Sequence, residues 1–537
     1  MGNTFRNKLA SNSKIMSFYK LVRFLKTDYL WLRVLIGAVI LCCFIYYAKV
    51  NTDPDMYWHI SLGEQILRTH ELPKLDTFSY TMQGYNWVDH EWLPEIGIYL
   101  LYSHNLWLIA VVLAALITFV PFATYLVRYK SLPMLLLTAL AGLVVITYLS
   151  PRPQVFSFLF FFILIEILIT VYIEKTKKIS FLFLLPILFF FWANIHAGFF
   201  TGLATLGLFV FSSLVLSRNN ILKRKENLWG FAILLICSIV VLINPYGARL
   251  YKEVFLVSFS PNVTKYIGEW ISPLYTGGMR IAFFVGTFMA IVLIYRKKLP
   301  LHLVLTSVLL GIFFLKSSKA GVYFILSAVP LLAIGCEIIW QEAIQSRPNK
   351  QFSTRERLIG VILAVFALGA VLSGLIITTV KIKAPYEPEA ITRFMKKQVE
   401  MKEKIVIFNT YSWGGYFIYN LPEVKVFVDG RMPHWRDRSG YSAMGEYVDV
   451  FYKEDLSRWR EVFEKWEINE VVIYTGSTSF KESRILKNRS LVEGKILNSF
   501  YNDLHILKKD FDLAKALTDA GWTTIYKDDH GMILRKP

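Results

Sequence analysis

Acidic and imidazole side chains crowd one short stretch of an otherwise apolar chain of 537 residues. It reads Asp53-Pro54-Asp55-Met56-Tyr57-Trp58-His59, Gly63-Glu64, Asp76-Thr77-Phe78-Ser79-Tyr80 and Trp87-Val88-Asp89-His90-Glu91-Trp92, with Glu95 beyond. Carboxylates beside a bilayer are costly to desolvate, so their gathering there points to chemistry. Asp53 or Asp55 could take a proton from a hydroxyl acceptor, or with Asp89 hold a divalent cation such as Mg or Mn. Each also suits the N-cap of a helix beginning near Pro54. His59 and His90, among acids, are open to metal ligation, phosphate donation or plain hydrogen bonding, with a buried core role the weaker reading. Glu91 and Glu95, four residues apart, could face one cavity.

A second set of candidates falls in short turns between apolar runs. Arg152 precedes Pro153, Asn194 and His196 close another run, and Glu269-Trp270 lie in a longer loop with Asn244-Pro245-Tyr246-Gly247 and Arg249. A guanidinium in such a turn suits a phosphate, with an ion pair to a loop carboxylate as the plainer alternative. Lys316 and Lys319 are placed alike. Further on, Trp413-Gly414-Gly415-Tyr416 and Asp429-Gly430-Arg431 each follow a β-branched run, where open α/β sheets bind ligands. Paired glycines there admit a close backbone, with the aromatics free to stack on a sugar, and ordinary turn chemistry is the competing reading.

The elements that must position these groups are mostly membrane helices. The chain is 55% hydrophobic with 41 Phe, and its charge of +19 resides largely in short loops, which sets nucleic-acid binding aside. Apolar runs near 34–50, 107–127, 132–149, 155–173, 179–195, 197–216, 229–243, 281–295, 301–315, 321–340 and 358–380 make about eleven spans. The first follows a basic leader and lacks a small-residue cleavage site, so it reads as an uncleaved anchor. Cys42, Cys43, Cys237 and Cys336 all lie in apolar runs, which gives no disulfide framework.

Basic residues recur in alternate loops, so the positive-inside rule places the N-terminus in the cytoplasm and the C-terminus outside. The expected fold is a polytopic α-helical membrane protein with a C-terminal soluble α/β domain. Its parts are a basic cytoplasmic N-terminus (1–33), a transmembrane domain (34–380) with extracytoplasmic loop 51–106, and an extracytoplasmic domain (381–537). Within loop 51–106, Met56, Ile60, Gly63 and Leu67 predict a helix lying on the membrane surface, with Asp55 and His59 projecting together. Trp87, Trp92 and Tyr57 read as interfacial anchors. In 381–537, runs at 404–408, 424–428, 470–474 and 523–526 predict a largely parallel sheet closed by a terminal hairpin.

Asp53-Pro54-Asp55 with Trp58-His59, His90-Glu91-Trp92-Leu93, Arg152-Pro153, Trp192 with Asn194 and His196, Asn244-Pro245-Tyr246-Gly247, Trp413-Gly414-Gly415-Tyr416 and Asp429-Gly430-Arg431 together resemble a group of bacterial membrane proteins of the GT-C glycosyltransferase type. The resemblance spans nearly the whole chain. It implies a bacterial plasma-membrane enzyme that transfers a sugar, with inversion, from a polyprenyl-phosphate-linked donor to an envelope glycan, lipid or protein. Asp53 or Asp55 would be the base, and the other could help hold a metal where family members need one. Trp413-Gly414-Gly415-Tyr416 resembles the acceptor motif of oligosaccharyltransferases but lacks its central Asp, so a peptide acceptor is not implied. The competing classes are a transporter or flippase, for which the spans offer few ionisable residues beyond Glu166, and a non-catalytic glycan-binding assembly protein.

Overall fold

A computed structural model describes residues 30–51, 53–174, 179–216, 225–260, 263, 266–270, 272–273, 279–295, 297–345, 387–452, 458–474 and 513–537. Ten of the expected apolar runs form helices. They include α1 (Leu30–Val50), α4 (Trp107–Arg128), α5 (Leu132–Val145), α6 (Gln154–Leu168), α7 (Leu185–Ile195), α8 (Phe199–Leu216) and α9 (Lys225–Val240). Beyond a short helix α10 (Arg249–Phe259) come α11 (Met279–Tyr295), α12 (Leu301–Lys316) and α13 (Gly321–Gln345). Among the described residues, five helical stretches are long and apolar enough to cross a bilayer, and five more are shorter apolar helices. The eleventh run, 358–380, and most of the basic N-terminus lie outside the described residues.

The bundle packs around Phe44, Phe122, Phe161, Phe189, Trp192 and Phe324, all buried, while Trp31, Ile187 and Phe231 face outward. Outward apolar side chains are what a lipid solvent favours. Glu166, acidic within a predicted span, pairs with Arg128 at 3.0 Å and 2.5 Å.

Loop 51–106 folds as α2 (Met56–Thr69) and α3 (Trp92–Ser103) with a tight irregular segment between them. Helix α2 does not lie free on a membrane surface. Met56 and Ile60 pack on Ile98 of α3, while Trp58 and Leu62 join the core of the C-terminal unit, so it is buried on two sides. Trp87, expected as an anchor, is likewise interior, 6.4 Å from Trp58 and 6.2 Å from Trp435.

The C-terminal unit comprises α14 (Glu389–Glu400), α15 (Gly414–Asn420), α16 (Ala443–Tyr452), α17 (Arg458–Lys465) and α18 (Leu513–Asp519) around a four-stranded sheet. Its strands β1 (Ile407–Asn409), β2 (Glu470–Tyr474), β3 (Thr523–Lys527) and β4 (Gly531–Arg535) run in the order β1-β2-β4-β3. Only β1 and β2 are parallel, and the terminal hairpin pairs antiparallel onto β2, so the sheet is mixed rather than largely parallel. The run 424–428 is not a strand. The Asn409 side chain accepts from Phe427 N–H at 2.8 Å and donates to Val428 O at 2.9 Å, taking the place of a ladder. On its other side Val426 bridges to Ser79 of the first loop. Tyr80 and Thr81 extend that seam through hydroxyls on Ile407 O and Phe427 O.

Arg431 locks the same seam. Its guanidinium takes Asp429 at 2.8 and 2.7 Å and Asp76 at 2.8 Å, and lies about 5 Å from the rings of Phe78, Trp87 and Trp435. Removing one member of a buried charge cluster strands the others, at about 3–5 kcal/mol. Arg431→Met is therefore expected to lower the thermal unfolding midpoint sharply. Adding Asp429→Asn and Asp76→Asn should recover part of the loss.

Candidate active site

Asp53-Pro54-Asp55 forms the turn between α1 and α2. Asp53 Oδ1 accepts the Asp55 N–H at 3.0 Å, and Asp55, at the N-cap position, makes no side-chain capping bond. Asp53 thus caps the turn with one carboxylate oxygen, and capping does not account for the Asp55 carboxylate. Asp53 Oδ2 receives Arg152 Nη1 at 2.6 Å, and Asp55 Oδ2 lies 3.3 Å from Nη2. Glu269 stands 3.5 Å from the same guanidinium and pairs with Lys319 at 2.9 Å. Arg152, expected as a phosphate contact or an ion-pair partner, thus meets three carboxylates in this structure.

These groups open onto a cavity of about 200 Å³ between the end of the bundle and the C-terminal unit, lined on one side by Asp55, Arg152, Glu269 and Lys319. Burial pushes the Asp55 carboxyl up to about 7, with Asp53 and Glu269 adding to the rise and Arg152 opposing it. For Glu269 burial also resists charge, but Lys319 and Arg152 prevail and hold its carboxyl down to about 2. Two carboxylates beside one guanidinium are thereby set apart. Asp55 can exchange a proton near neutral pH, and Glu269 stays ionised.

A further stretch of wall is made by Asp89, His90, Glu91 and His196. Glu91 has His196 Nε2 at 3.5 Å, His59 Nε2 at 3.8 Å and His90 Nε2 at 4.0 Å. His196 Nδ1 accepts Gly198 N–H at 3.0 Å, which puts its proton on the nitrogen facing Glu91. Ser157 Oγ, itself held by Trp192 Nε1 at 2.7 Å, adds a second contact to Nδ1, also 2.7 Å, so Trp192 orients His196 through one hydroxyl. Burial pushes His59 and His196 well below the usual histidine range, with the neighbouring cations adding to the effect.

Several expected site residues serve behind this wall. His59 does not project with Asp55 but is fully buried with Nδ1 2.8 Å from Glu95. This core placement reverses the sequence expectation for His59. Glu95, one turn inside α3, does not share the cavity with Glu91. Burial and the neighbouring Asp89 raise its carboxyl well above the normal range. Burial likewise raises Asp89 to about 6. Asn194 donates to Phe190 O and Ile243 O and accepts Trp92 Nε1 at 3.3 Å, tying the start of α3 to the bundle. Asp429 is spent on Arg431, although Arg431 itself reaches the cavity wall.

Trp413 and Tyr416 pack inward, against Tyr474 at 4.4 Å and Tyr57 at 4.8 Å, and neither lines the cavity. The glycines beside them do admit a close backbone, but it is the chain's own. A Cβ on Gly415 would sit 2.6 Å from Pro54 O, and one on Gly430 would collide with the Asp55 carboxylate. Both motifs clamp the acidic turn. Overpacking of this kind costs about 1–3 kcal/mol. Gly415→Ala is expected to lower thermal stability by that order and to disturb activity, whereas Gly97→Ala, with open space around it, should change neither.

Sequence reading missed the third wall. Glu253 on α10 and His434 meet at 2.6 Å across the cavity, although 181 positions separate them, and Tyr411 and Trp270 complete the lining. Among the described residues, several buried polar atoms around the cavity lack hydrogen-bond partners, including Arg152 Nε, Arg431 Nη1 and Asp89 Oδ2. Such atoms mark where a polar ligand would be satisfied. The donor set does not fit a divalent cation as it stands. Asp53 and Asp55 both face Arg152, Asp89 lies with Glu95, and among the described residues no group of three His, Cys, Asp or Glu side chains is placed to hold a metal ion.

Fold and site together define a helical membrane protein whose acid- and guanidinium-lined cavity lies where the bundle meets a small α/β unit. Among solved structures it is similar to the archaeal oligosaccharyltransferase AglB from Archaeoglobus fulgidus in complex with an inhibitory peptide and a dolichol-phosphate, with TM-score 0.58 and 12% identity over 86% of this chain and 71% of that one. The apo form of the Archaeoglobus fulgidus enzyme gives TM-score 0.54 at 13% identity over the same shares. The form tethered to an acceptor peptide gives 0.52 at 11%, again over those shares. These likenesses establish a shared fold. No protein-family model and no curated protein matches the chain.

Proposed function

We propose that the chain is an inverting glycosyltransferase that uses a polyprenyl-phosphate-linked sugar at the outer face of a bacterial plasma membrane. The observation that carries this reading is the convergence of Asp55, Arg152, Glu269 and Lys319 on one cavity at the end of the apolar bundle. Support comes from the fold, shared with an enzyme whose structures hold a dolichol-phosphate and peptides.

In this reading Asp55, which lines the cavity, is the base, and Asp53, held by Arg152 and the Asp55 amide, is the positioning carboxylate. The acceptor hydroxyl oxygen attacks the anomeric carbon as the bond from that carbon to the phosphate oxygen breaks. Its proton passes to Asp55, and the charge left on the phosphate falls to Arg152 and Lys319. Asp55 and Glu269, at 3.3 and 3.5 Å, hold the guanidinium less tightly than Asp53 and are the partners a phosphate displaces. The N-terminus lies inside, about eleven helices span the membrane, and the C-terminal unit stays outside with loop 51–106. Because the acids already oppose Arg152, EDTA is expected to leave the rate unchanged, and a loss restored by Mg or Mn would show that they regroup around a cation.

The pH profile of transfer from a synthetic polyprenyl-phosphate sugar tests the assignment. Asp55 accepts a proton only when ionised, so the rate should rise with pH up to about 7 and level off above it. A profile flat across that range would count against Asp55 as the base.

A further inference from the structure

A second cavity, of about 540 Å³, lies beside the candidate active site and shares Glu253 as a wall with it. Its rim carries Arg249 and Lys252 from α10 and Arg436 and Arg438 from the loop after His434. Among the described residues none of these four cations has an ion pair. Two acids share the lining and leave the cations in excess. Glu253 meets His434 at 2.6 Å, and Asp437 Oδ1 accepts from Ser439 N, Ser439 Oγ and Tyr441 N at 2.6–2.9 Å. Four cations against two carboxylates leave the concavity net positive, and such a site favours a polyvalent anion.

The floor identifies the kind of anion. Tyr85, half-buried, stacks on Trp435 at 4.7 Å, with Asn86 beside it. An immobilised aromatic ring suits the apolar face of a sugar, and an amide suits its hydroxyls. Apart from Val88 and Leu256 the lining offers little to a lipid tail.

We propose that this cavity is a subsite for an acidic oligosaccharide, a carboxylate- or phosphate-bearing glycan whose next residue reaches past Glu253 and His434 towards Asp55. The assignment of that glycan as acceptor rests on the transferase reading, but its binding does not. It also gives the acceptor class a chemistry: the sugar-accepting chain is anionic.

The full chain in phosphatidylcholine nanodiscs should bind pentagalacturonate, and not maltopentaose of equal length, with affinity that falls as salt is raised. Replacing Arg249, Lys252, Arg436 and Arg438 together with Gln should weaken binding on the order of tenfold or more. Replacing Arg393, Lys396, Lys397 and Lys402, exposed cations of α14 and the turn after it, with Gln should leave it intact. Equal binding by the wild type and the first variant would overturn the proposal, as would equal weakening by both sets. Vesicle binding that requires phosphatidylglycerol and is lost only in the first variant, with no binding of the pentasaccharide, would transfer the site to the membrane and likewise overturn it. Saccharide binding that persists while the wild type transfers no sugar from any polyprenyl-phosphate donor supplied would defeat the transferase reading and leave the subsite standing. Should the first variant fail to stay monodisperse, Arg436→Gln with Arg438→Gln, both in an exposed loop, carries the test.

Discussion

Asp55→Asn is expected to lower the rate of sugar transfer by about 10²–10⁴-fold, the range a positioned acid or base contributes, with little change in KM for the donor. The amide keeps the shape of the side chain but cannot accept the acceptor's proton. The fold should survive, because Asp53 at 2.6 Å and Glu269 at 3.5 Å still hold Arg152. Stability moves the other way from activity. A carboxyl raised by burial from its unfolded value to about 7 contributes stability that is present below about pH 4 and lost as pH rises through 7. Above pH 7 the ionised group is a net cost to the fold, so the Asn variant should unfold at the same temperature as the wild type or higher. A variant that melts early and transfers normally would place Asp55 among the structural residues.

Arg152→Met carries the second large effect, on both quantities. Its guanidinium is buried and opposed by Asp53, Asp55 and Glu269. Removing it strands carboxylates in a low-dielectric site, at about 3–5 kcal/mol, and removes a donor for the leaving phosphate, worth about 10²–10³-fold in rate. The two effects separate in a double variant. Arg152→Met with Asp53→Asn relieves the stranded charge and should recover much of the thermal stability while remaining inactive. Recovery of activity alongside stability would mean that Arg152 only holds the turn in place. Arg152→Lys should rescue the rate only in part, since an ammonium cannot span Asp53 and Asp55 as a planar fork does.

The apolar helices were legible because apolar runs declare themselves one by one, and ten of those runs became helices, five of them long enough to cross a bilayer. The ion pairing of Arg152 was legible as well, since a loop carboxylate was the plainer partner for a guanidinium in that short turn. What the sequence concealed was depth. His59 looked exposed among acids because its cover, Glu95, arrives from a helix 36 positions away. The run 424–428 has strand composition, but Asn409 and Ser79 supply its hydrogen bonds instead of a neighbouring strand. The paired glycines of Trp413-Gly414-Gly415-Tyr416 were read as a place of close approach, and the structure shows that Pro54 is what approaches Gly415, while Gly430, read with turn chemistry as its plain explanation, is approached by Asp55. Glu253 and His434 carried no local signal, because each becomes a wall residue only through the other.

The seam that ties Ser79, Tyr80 and Thr81 to Val426, Ile407 and Phe427 joins positions up to 346 apart. A ribosome delivers the first loop hundreds of residues before the segment that covers it. Through that interval Asp53 and Asp55 wait without the glycines that clamp them, while one helix after another enters the bilayer. Completion of the cavity is thus among the last events of biogenesis, and a nascent chain stalled within the bundle has no assembled cavity.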